Sequence, residues 1–136
     1  MSILNKVLIV DDSQLIHSMY KLVLGRYNCR IVDVMNGLEA IDTLSRENDF
    51  DLILLDINMP VMNGLQFMEK IKKENLYRHI PIIVISTEGK EEDTLRALKL
   101  GAWGYVVKPF KPHMLYELIE KVVARKPPYL STVKSI

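Results

Sequence analysis

Acidic, hydroxyl and amino side chains directly follow four short apolar runs in this sequence. Asp11 and Asp12 follow the run KVLIV, and Asp56 follows LILL. Ser86 comes after IIVI, and Lys108 comes after GYVV. If these runs are parallel strands, their carboxyl ends share one edge of a sheet, where ligands bind in open α/β folds. We therefore expect these five side chains to lie close together.

Three carboxylates at neighbouring strand ends predict a cation site. Two carboxylates roughly 5 Å apart repel each other by about 3 kcal/mol at an effective dielectric constant of about 20. Acids in this situation either share protons, with raised pKa values, or bind a cation. A ligand set made only of oxygen atoms, with no histidine or cysteine nearby, favours a hard ion such as Mg²⁺.

Lys108 and Ser86 add groups that can bind a phosphoryl group. The lysine ammonium group pairs with one phosphate oxygen, and the serine hydroxyl donates a hydrogen bond to another. One of the three carboxylates is then available as a nucleophile. Each residue also has a simpler interpretation: Asp12 as a helix N-cap, Ser86 as a loop hydroxyl, and Lys108 as a solvated lysine before a turn. The coincidence of four strand ends favours a phosphoryl site over these separate interpretations.

The segments between these positions predict five strands that alternate with five helices. The predicted strands are Lys6–Val10, Arg30–Val34, Leu52–Leu55, Ile82–Ile85 and Gly104–Val107. The predicted helices cover about Gln14–Arg26, Leu38–Glu47, Leu65–Glu74, Glu91–Leu100 and Pro112–Arg125, and the first repeats apolar residues at Leu15, Met19, Leu22 and Val23. This alternation indicates βαβ units and a parallel sheet with helices on both faces. We predict an α/β fold, a flavodoxin-like (βα)5 doubly wound five-stranded sheet of order 2-1-3-4-5.

Length and composition predict a single globular domain. The chain has 136 residues, of which 49% are hydrophobic and 26% charged, enough for one core. A formal net charge of +1 gives no strong electrostatic attraction to nucleic acid or to an anionic membrane, so neither is a predicted partner. Cys29 is the single cysteine, no signal-peptide pattern is present, and no apolar run approaches the ~20 residues of a membrane span. We predict a cytoplasmic protein with one domain at residues 1–125 and a short polar tail at 126–136.

Four motifs, in this order and spacing, resemble the receiver domain of two-component response regulators in its single-domain, CheY-like form. They are VLIVDDS, LILLDINMPVMNG, IPIIVIST and GAWGYVVKPF, and the resemblance runs from about Lys6 to Ala124. It implies a phosphorylation-activated signalling switch of a two-component or phosphorelay system. Such a switch is not a classical enzyme, because it catalyses only its own phosphorylation and slow dephosphorylation. The implied partners are a histidine kinase or phosphotransfer protein and a target that binds the face of helix 4, strand 5 and helix 5.

The resemblance also implies the roles of the acidic residues. Asp56 would accept the phosphoryl group. Mg²⁺ would be held by Asp11, Asp12, Asp56 and the backbone carbonyl of Asn58. Asn58 and Glu88 lie two residues after Asp56 and Ser86, where the family tunes the loss of the phosphoryl group.

The same resemblance implies a switch at the fourth and fifth strands. Ser86 and Lys108 would bind the phosphoryl group, and Tyr105 occupies the family's aromatic switch position. The Lys108–Pro109 peptide would be cis. Trp103, just before the fifth strand, is a large apolar departure from the family pattern, either a partner contact or an ordinary aromatic side chain.

Other functional classes fit the residues less well. A phosphatase of the haloacid-dehalogenase type needs a second aspartate two residues after its nucleophile, but Ser13 follows Asp11 and Asn58 follows Asp56 at this spacing. A flavodoxin-like cofactor module needs a first loop that attracts phosphate, which two aspartates would repel. A pseudo-receiver usually loses an acid or the lysine. A receiver fragment of a larger regulator and a phosphorelay intermediate both remain compatible with the same residues.

The three histidines are predicted to have no part in the site. His17, His79 and His113 share no metal-ligand spacing. We interpret them as surface or half-buried residues.

Overall fold

The structure, a computed structural model that describes residues 3–87 and 90–124, has five strands alternating with five α-helices in this part of the chain. The strands are β1 (Lys6–Val10), β2 (Arg30–Val34), β3 (Leu52–Asp56), β4 (Ile82–Thr87) and β5 (Gly104–Lys108). The helices are α1 (Gln14–Leu24), α2 (Gly37–Arg46), α3 (Gly64–Lys73), α4 (Glu91–Lys99) and α5 (Pro112–Ala124), and a 3₁₀ turn, Gly25–Tyr27, follows α1. The predicted tail at 126–136 lies outside the described residues.

The five strands form one parallel sheet in the order β2-β1-β3-β4-β5, which confirms the predicted fold. Both faces of the sheet are buried. In β1, Val7 and Ile9 pack into a core with α1 and α5, whereas Leu8 and Val10 pack into a second core with α2, α3 and α4. Successive side chains of a strand point to opposite faces, so a strand covered on both sides needs an unbroken apolar run.

The polar residues of the site belong to the strands rather than to the loops that follow them. The sequence predicts Asp56, Ser86 and Lys108 just beyond their strands. In the structure β3 ends at Asp56, β4 continues through Ser86, and β5 ends at Lys108. Asp56 still pairs with Ile85, and Lys108 pairs with Thr87. The apolar run stops before the backbone ladder does, because ladder hydrogen bonds involve main-chain groups that every residue except proline carries.

Ser13, not Asp12, caps the amino end of α1. The backbone of Ser13 is extended, and its Oγ accepts a hydrogen bond from the Ile16 N–H at 3.3 Å. In the same way, Asn36 caps α2 and Asn63 caps α3. The interpretation of Asp12 as a helix cap is therefore wrong, and its carboxylate is available to the site.

Apolar spacing alone misplaces some side chains relative to the core. Leu15 and Leu22 of α1 are 79% and 83% exposed, while Tyr20 and Val23 of the same helix are buried. Trp103 is only 7% exposed and packs into the core with α1 and α5, so its interpretation as a partner contact is wrong. Among the described residues, none of the helices combines the length and apolar character needed to cross a membrane.

Candidate functional site

Three carboxylates converge at the carboxyl edge of the sheet. Asp11 and Asp12 follow β1, and Asp56 ends the neighbouring strand β3, where Val10 pairs with Leu55. This register sets the residues after Val10 and Leu55 side by side. One carboxylate oxygen from each of the three aspartates lies within 4.8 Å of the others. Asp11 and Asp56 are buried, and Asp12 is exposed, so the cluster opens to solvent on one side.

Lys108 brings a positive charge to the same cluster from the edge of the sheet. Its Nζ lies 3.6 Å from Asp56 Oδ1 and 3.7 Å from Asp11 Oδ2. β5 is two strands away from β3, and the long lysine side chain spans that separation. These distances are those of ion pairs rather than of direct hydrogen bonds. The Lys108–Pro109 peptide is cis, as the family resemblance implies.

The electrostatics of the cluster leave negative charge incompletely compensated. Burial, reinforced by the neighbouring Asp11 charge, raises the pKa of Asp56 to about 6, although Lys108 acts in the opposite direction. Burial also raises the pKa of Asp11, against the lowering effects of Lys108 and of the Ser13 N–H. One ammonium group is thus insufficient for the acids it faces. A second cation would remove the remaining repulsion.

The donor set fits a hard divalent cation. Asp11 Oδ1 accepts a hydrogen bond from the Ser13 N–H at 2.9 Å, but the buried Asp11 Oδ2 has no hydrogen-bond partner in the part of the chain that the structure describes. A buried acceptor without a partner costs free energy unless a ligand satisfies it. The three aspartates supply oxygen ligands only, which suits Mg²⁺. Asn58, whose carbonyl the resemblance adds to this set, is exposed directly beyond β3.

Ser86 and Tyr105 lie on neighbouring strands in very different environments. Ser86 is buried on β4, and its Oγ has no hydrogen-bond partner among the described residues. Tyr105 on β5 pairs with Val84 through the backbone and has an exposed side chain. Glu88, which the resemblance places in the tuning pair with Asn58, lies outside the described residues.

Gly64 allows the β3–α3 loop to fold back under the site. A Cβ atom at this position would lie 2.4 Å from the Asp56 carbonyl oxygen and 2.9 Å from Ile57 Cα. The Gly64 N–H donates a hydrogen bond to the Ile57 carbonyl at 2.8 Å, and Asn63 caps the helix that starts here. Any side chain at Gly64 would push directly on the backbone of Asp56.

His17 contacts the site, a role that the sequence analysis missed. The side chain is buried, and its Nε2 donates a hydrogen bond to the Asp11 carbonyl oxygen at 2.6 Å. The other ring nitrogen lies 3.4 Å from Asp33 Oδ2, which also pairs with Lys21 Nζ at 3.0 Å. The interpretation of His17 as a surface or half-buried residue is wrong. Two features of the sequence indicate this role. Asp33 is an acid within the predicted second strand, and His17 and Lys21 are four residues apart, which places both on one helix face.

Known proteins resemble this chain over nearly the whole described region. A family model for the response regulator receiver domain matches residues 7–120. The chain is 39% identical over 119 residues to the chemotaxis protein CheY homolog of Campylobacter jejuni. This match covers 87% of this chain and 92% of that protein. It is also 39% identical to the chemotaxis protein CheY1 of Helicobacter pylori, over 87% of this chain and 96% of that protein.

Solved structures share the fold. Chemotaxis protein CheY4 of Vibrio cholerae superposes with a TM-score of 0.77 and 34% identity, over 88% of this chain and 98% of that chain. A CheY-like response regulator receiver domain protein of Methanospirillum hungatei superposes with a TM-score of 0.79 and 29% identity, over 88% and 94% of the two chains.

Proposed function

Because this chain belongs to the response regulator receiver domain family, we propose that it is a CheY-like signalling switch that accepts a phosphoryl group on Asp56. The donor is a phosphohistidine of a histidine kinase or phosphotransfer protein. The observation that carries this proposal is the convergence of Asp11, Asp12, Asp56 and Lys108, from three distant parts of the chain, on one pocket. Asp56 lies at its centre, buried and within reach of the lysine.

The proposed transfer step uses the Asp56 carboxylate as the nucleophile. A carboxylate oxygen attacks phosphorus, the phosphorus–nitrogen bond of the phosphohistidine breaks, and the imidazole leaves with the bonding electron pair. The product is an acyl phosphate, which water later hydrolyses. Catalysis of this kind depends chiefly on positioning and on stabilisation of charge.

Asp11, Asp12 and Asp56 would hold Mg²⁺, together with the backbone carbonyl of Asn58. When bound, Mg²⁺ neutralises charge on the carboxylates and on the phosphoryl oxygens. Asp11 Oδ2 is suited to this role because it is buried and no described residue forms a hydrogen bond with it. Asn58 and Glu88 would set the lifetime of the acyl phosphate.

The switch would begin at Ser86 and Lys108. Phosphorylation replaces a charge of about −1 by about −2 and adds acceptor oxygens. The Ser86 Oγ has no hydrogen-bond partner in the described residues, so it is available to donate to the phosphoryl group. Movement of Ser86 would open space for Tyr105, whose side chain is exposed, to turn inward. A ligand shifts such an equilibrium only by its differential affinity for the two states.

The output would be a changed face of α4, β5 and α5 that binds a target protein. A surface depression of about 650 Å³ lies on this face, lined by residues of β5 and α5, including Tyr105, Met114 and Leu118. The relatives from Campylobacter jejuni, Helicobacter pylori and Vibrio cholerae are chemotaxis proteins, which supports an output by protein–protein contact. We propose a cytoplasmic location and a receiver domain at residues 1–125. A role as a phosphorelay intermediate, or as the receiver part of a larger regulator, would use the same site.

The direct test is chemical phosphorylation. Incubation with Mg²⁺ and phosphoramidate should add one phosphoryl group, seen by intact-protein mass spectrometry, and Asp56→Asn should abolish it. Asp42→Asn, which removes an exposed acid on α2, is the control and should be phosphorylated normally. Phosphorylation that persists in Asp56→Asn would place the nucleophile elsewhere, and catalytic release of phosphate from phosphate esters would favour a phosphatase.

The role of Lys108 is tested separately. Lys108→Ala should still bind Mg²⁺ but should not couple phosphorylation to target binding, because the cation that joins Asp56 to β5 is gone. The affinity of the phosphorylated and unphosphorylated forms for a co-purified target is the measurement. A normal increase in affinity on phosphorylation of Lys108→Ala would contradict the proposed coupling.

A further inference from the structure

A cavity of about 430 Å³ lies at the opposite edge of the sheet from the acidic site. It is lined by the last turns of α3 and α4, the loop between α3 and β4, and the turn that leads from α4 into β5. These parts meet because the helices of βαβ units run antiparallel to the strands and therefore end where strands begin. The proposed phosphorylation chemistry does not use this cavity.

The inner surface of the cavity is apolar. The side chains of Met68, Ile71, Ile80 and Ile82 line it and are buried in the core, and Trp103 lines it from the turn before β5. Apolar walls with a few polar groups at the margin are typical of small-molecule sites, and the volume falls within the usual range of about 300–1,000 Å³. The apolar part of a ligand would be held there by the hydrophobic effect.

The margin of the cavity is basic. Lys72, Arg78 and Lys99 line it, and none of the described residues that line it is acidic. Within the described parts of the chain, Lys72 and Lys99 make no ion pair. Lysines in the last turn of a helix also offset the helix dipole, which explains the charges but not the apolar cavity between them. The combination is complementary to a ligand with an anionic group.

The loop that forms one wall has an unusual backbone. Asn75 and Tyr77 both have a φ of 56°, in the left-handed region. For a bulky residue such as Tyr77 this conformation is uncommon. Such conformations persist only where the surrounding structure enforces them, and they cluster at ligand sites.

We propose that this cavity binds a small molecule with an apolar body and one anionic group, such as a carboxylate or a sulfonate. The apolar body lies against Met68, Ile71 and Trp103, and the anionic group faces the basic margin. An extended peptide would need an open groove with an exposed strand or helix face. A partly open cavity of this volume, lined by helix ends and loops, favours a small ligand.

Anilinonaphthalene sulfonate, an apolar anion, is a suitable probe for the full chain. Trp103 is the only tryptophan and lines this cavity, so a probe bound there lies close enough to quench its emission. Binding should increase the probe emission and quench Trp103 emission by energy transfer, with the same concentration dependence. The double variant Lys72→Glu/Lys99→Glu should weaken binding by about tenfold, because two attractive charges become repulsive.

Two controls separate the cavity from general surface charge. Lys73→Glu/Lys111→Glu makes the same change in net charge at exposed lysines that do not line the cavity, and should leave the affinity unchanged. Phenylnaphthylamine, which lacks the sulfonate, should bind the wild type and Lys72→Glu/Lys99→Glu equally well.

Three results would overturn the proposal. The first is unchanged Trp103 emission when anilinonaphthalene sulfonate is added. The second is an equal loss of sulfonate affinity in Lys72→Glu/Lys99→Glu and in Lys73→Glu/Lys111→Glu. The third is an equal loss of affinity for both probes in Lys72→Glu/Lys99→Glu. If Lys72→Glu/Lys99→Glu does not fold, Leu98→Phe is the alternative variant, because the larger side chain narrows the cavity from α4. It should weaken the binding of both probes, and cooperative thermal unfolding would show that the variant is folded. Undiminished binding to folded Leu98→Phe would also overturn the proposal.

Discussion

Two groups of acids lie at opposite edges of the same sheet, and they differ in how their charge is balanced. At the carboxyl edge, the buried Asp11 and Asp56 share Lys108, whose Nζ lies beyond hydrogen-bond distance from both. At the amino edge, Glu47 and Asp49 pair with the buried ammonium group of Lys6, and the Lys6–Asp49 distance is 2.6 Å.

The pKa values of the two groups shift in opposite directions. Burial raises the pKa of Asp56 to about 6 and raises that of Asp11. Hydrogen bonds from Lys6 lower the pKa of both Glu47 and Asp49. Both groups contain carboxylates near a lysine, so composition does not distinguish them. The amino-edge acids are more exposed than Asp11 and Asp56, and Lys6 stabilises their ionised forms, which indicates a structural role. Buried acids that lack such stabilisation, as at the carboxyl edge, indicate a functional site.

The largest expected difference between the two groups is in Mg²⁺ affinity. Asp12→Asn should weaken Mg²⁺ binding by about tenfold to a hundredfold, because it removes one charged oxygen ligand from a set of three. Asp49→Asn should leave the affinity unchanged, since that carboxylate already pairs with Lys6. Isothermal titration calorimetry measures both. An equal loss in the two variants would mean that the carboxyl-edge acids are not a specific site.

The second difference is in stability without metal at neutral pH. Asp56→Asn should raise the free energy of unfolding by about 1–2 kcal/mol, less than the full pKa shift implies, because the cluster opens to solvent at Asp12. Asp49→Asn should lower the free energy of unfolding, since it removes a partner of Lys6. Urea denaturation in the presence of a chelator is the measurement. A loss of stability in Asp56→Asn would contradict the idea that its charge is poorly compensated.

The third difference is in the direction in which the free energy of unfolding changes with pH. The folded-state pKa of Asp56 is raised from 3.8 to about 6, so the stability associated with its protonated form is present below pH 3.8 and is lost as the pH rises through about 6. The stability gain of Asp56→Asn over the wild type should therefore be absent below pH 3.8, develop across this interval and persist above about pH 6. Asp49 has a lowered pKa, so its stabilising contribution should instead disappear as the pH falls. Urea denaturation from about pH 2.5 to about pH 7.5 without metal tests both directions, because the loss for Asp49 falls below pH 3.8. Parallel profiles for the two variants would refute the comparison.

The smallest expected effect concerns His17. His17→Ala removes the hydrogen bond to the Asp11 carbonyl and should weaken Mg²⁺ binding by about fivefold, or about 1 kcal/mol. His17→Gln, whose amide can still donate to that carbonyl, should recover part of the affinity, and His79→Ala, at an exposed position, should have no effect. Calorimetric titration distinguishes these cases. If Gln and Ala at position 17 behaved alike, the hydrogen bond would have no part in positioning Asp11.

Much of the fold follows from local sequence patterns. Unbroken apolar runs identify strands that are covered on both faces, and their alternation with helical segments predicts the parallel sheet and its order. Asn36 and Asn63 cap their helices through side-chain contacts with residues only three positions away. Such features are predictable because the groups that interact are close in sequence.

The buried face of a helix is less well determined by its own sequence. The apolar spacing of α1 includes Leu15 and Leu22, which are exposed, and omits the polar His17, which is buried. Which side of a helix faces the sheet depends on crossing geometry and on the side chains of neighbouring elements. Those contacts join residues that are far apart in sequence.

The sequence by itself determined that acids, a hydroxyl and a lysine stand at the ends of parallel strands, and hence that they meet at one edge. Only the tertiary structure decided how far each charge is compensated: Lys6 contacts its acids closely, while Lys108 lies 3.6 Å or more from its own. The apolar cavity at Trp103 likewise results from the packing of helix ends and loops. The physical reason is that strand order depends on a repeating local pattern, whereas burial and charge compensation depend on distances between atoms that only the packed chain fixes.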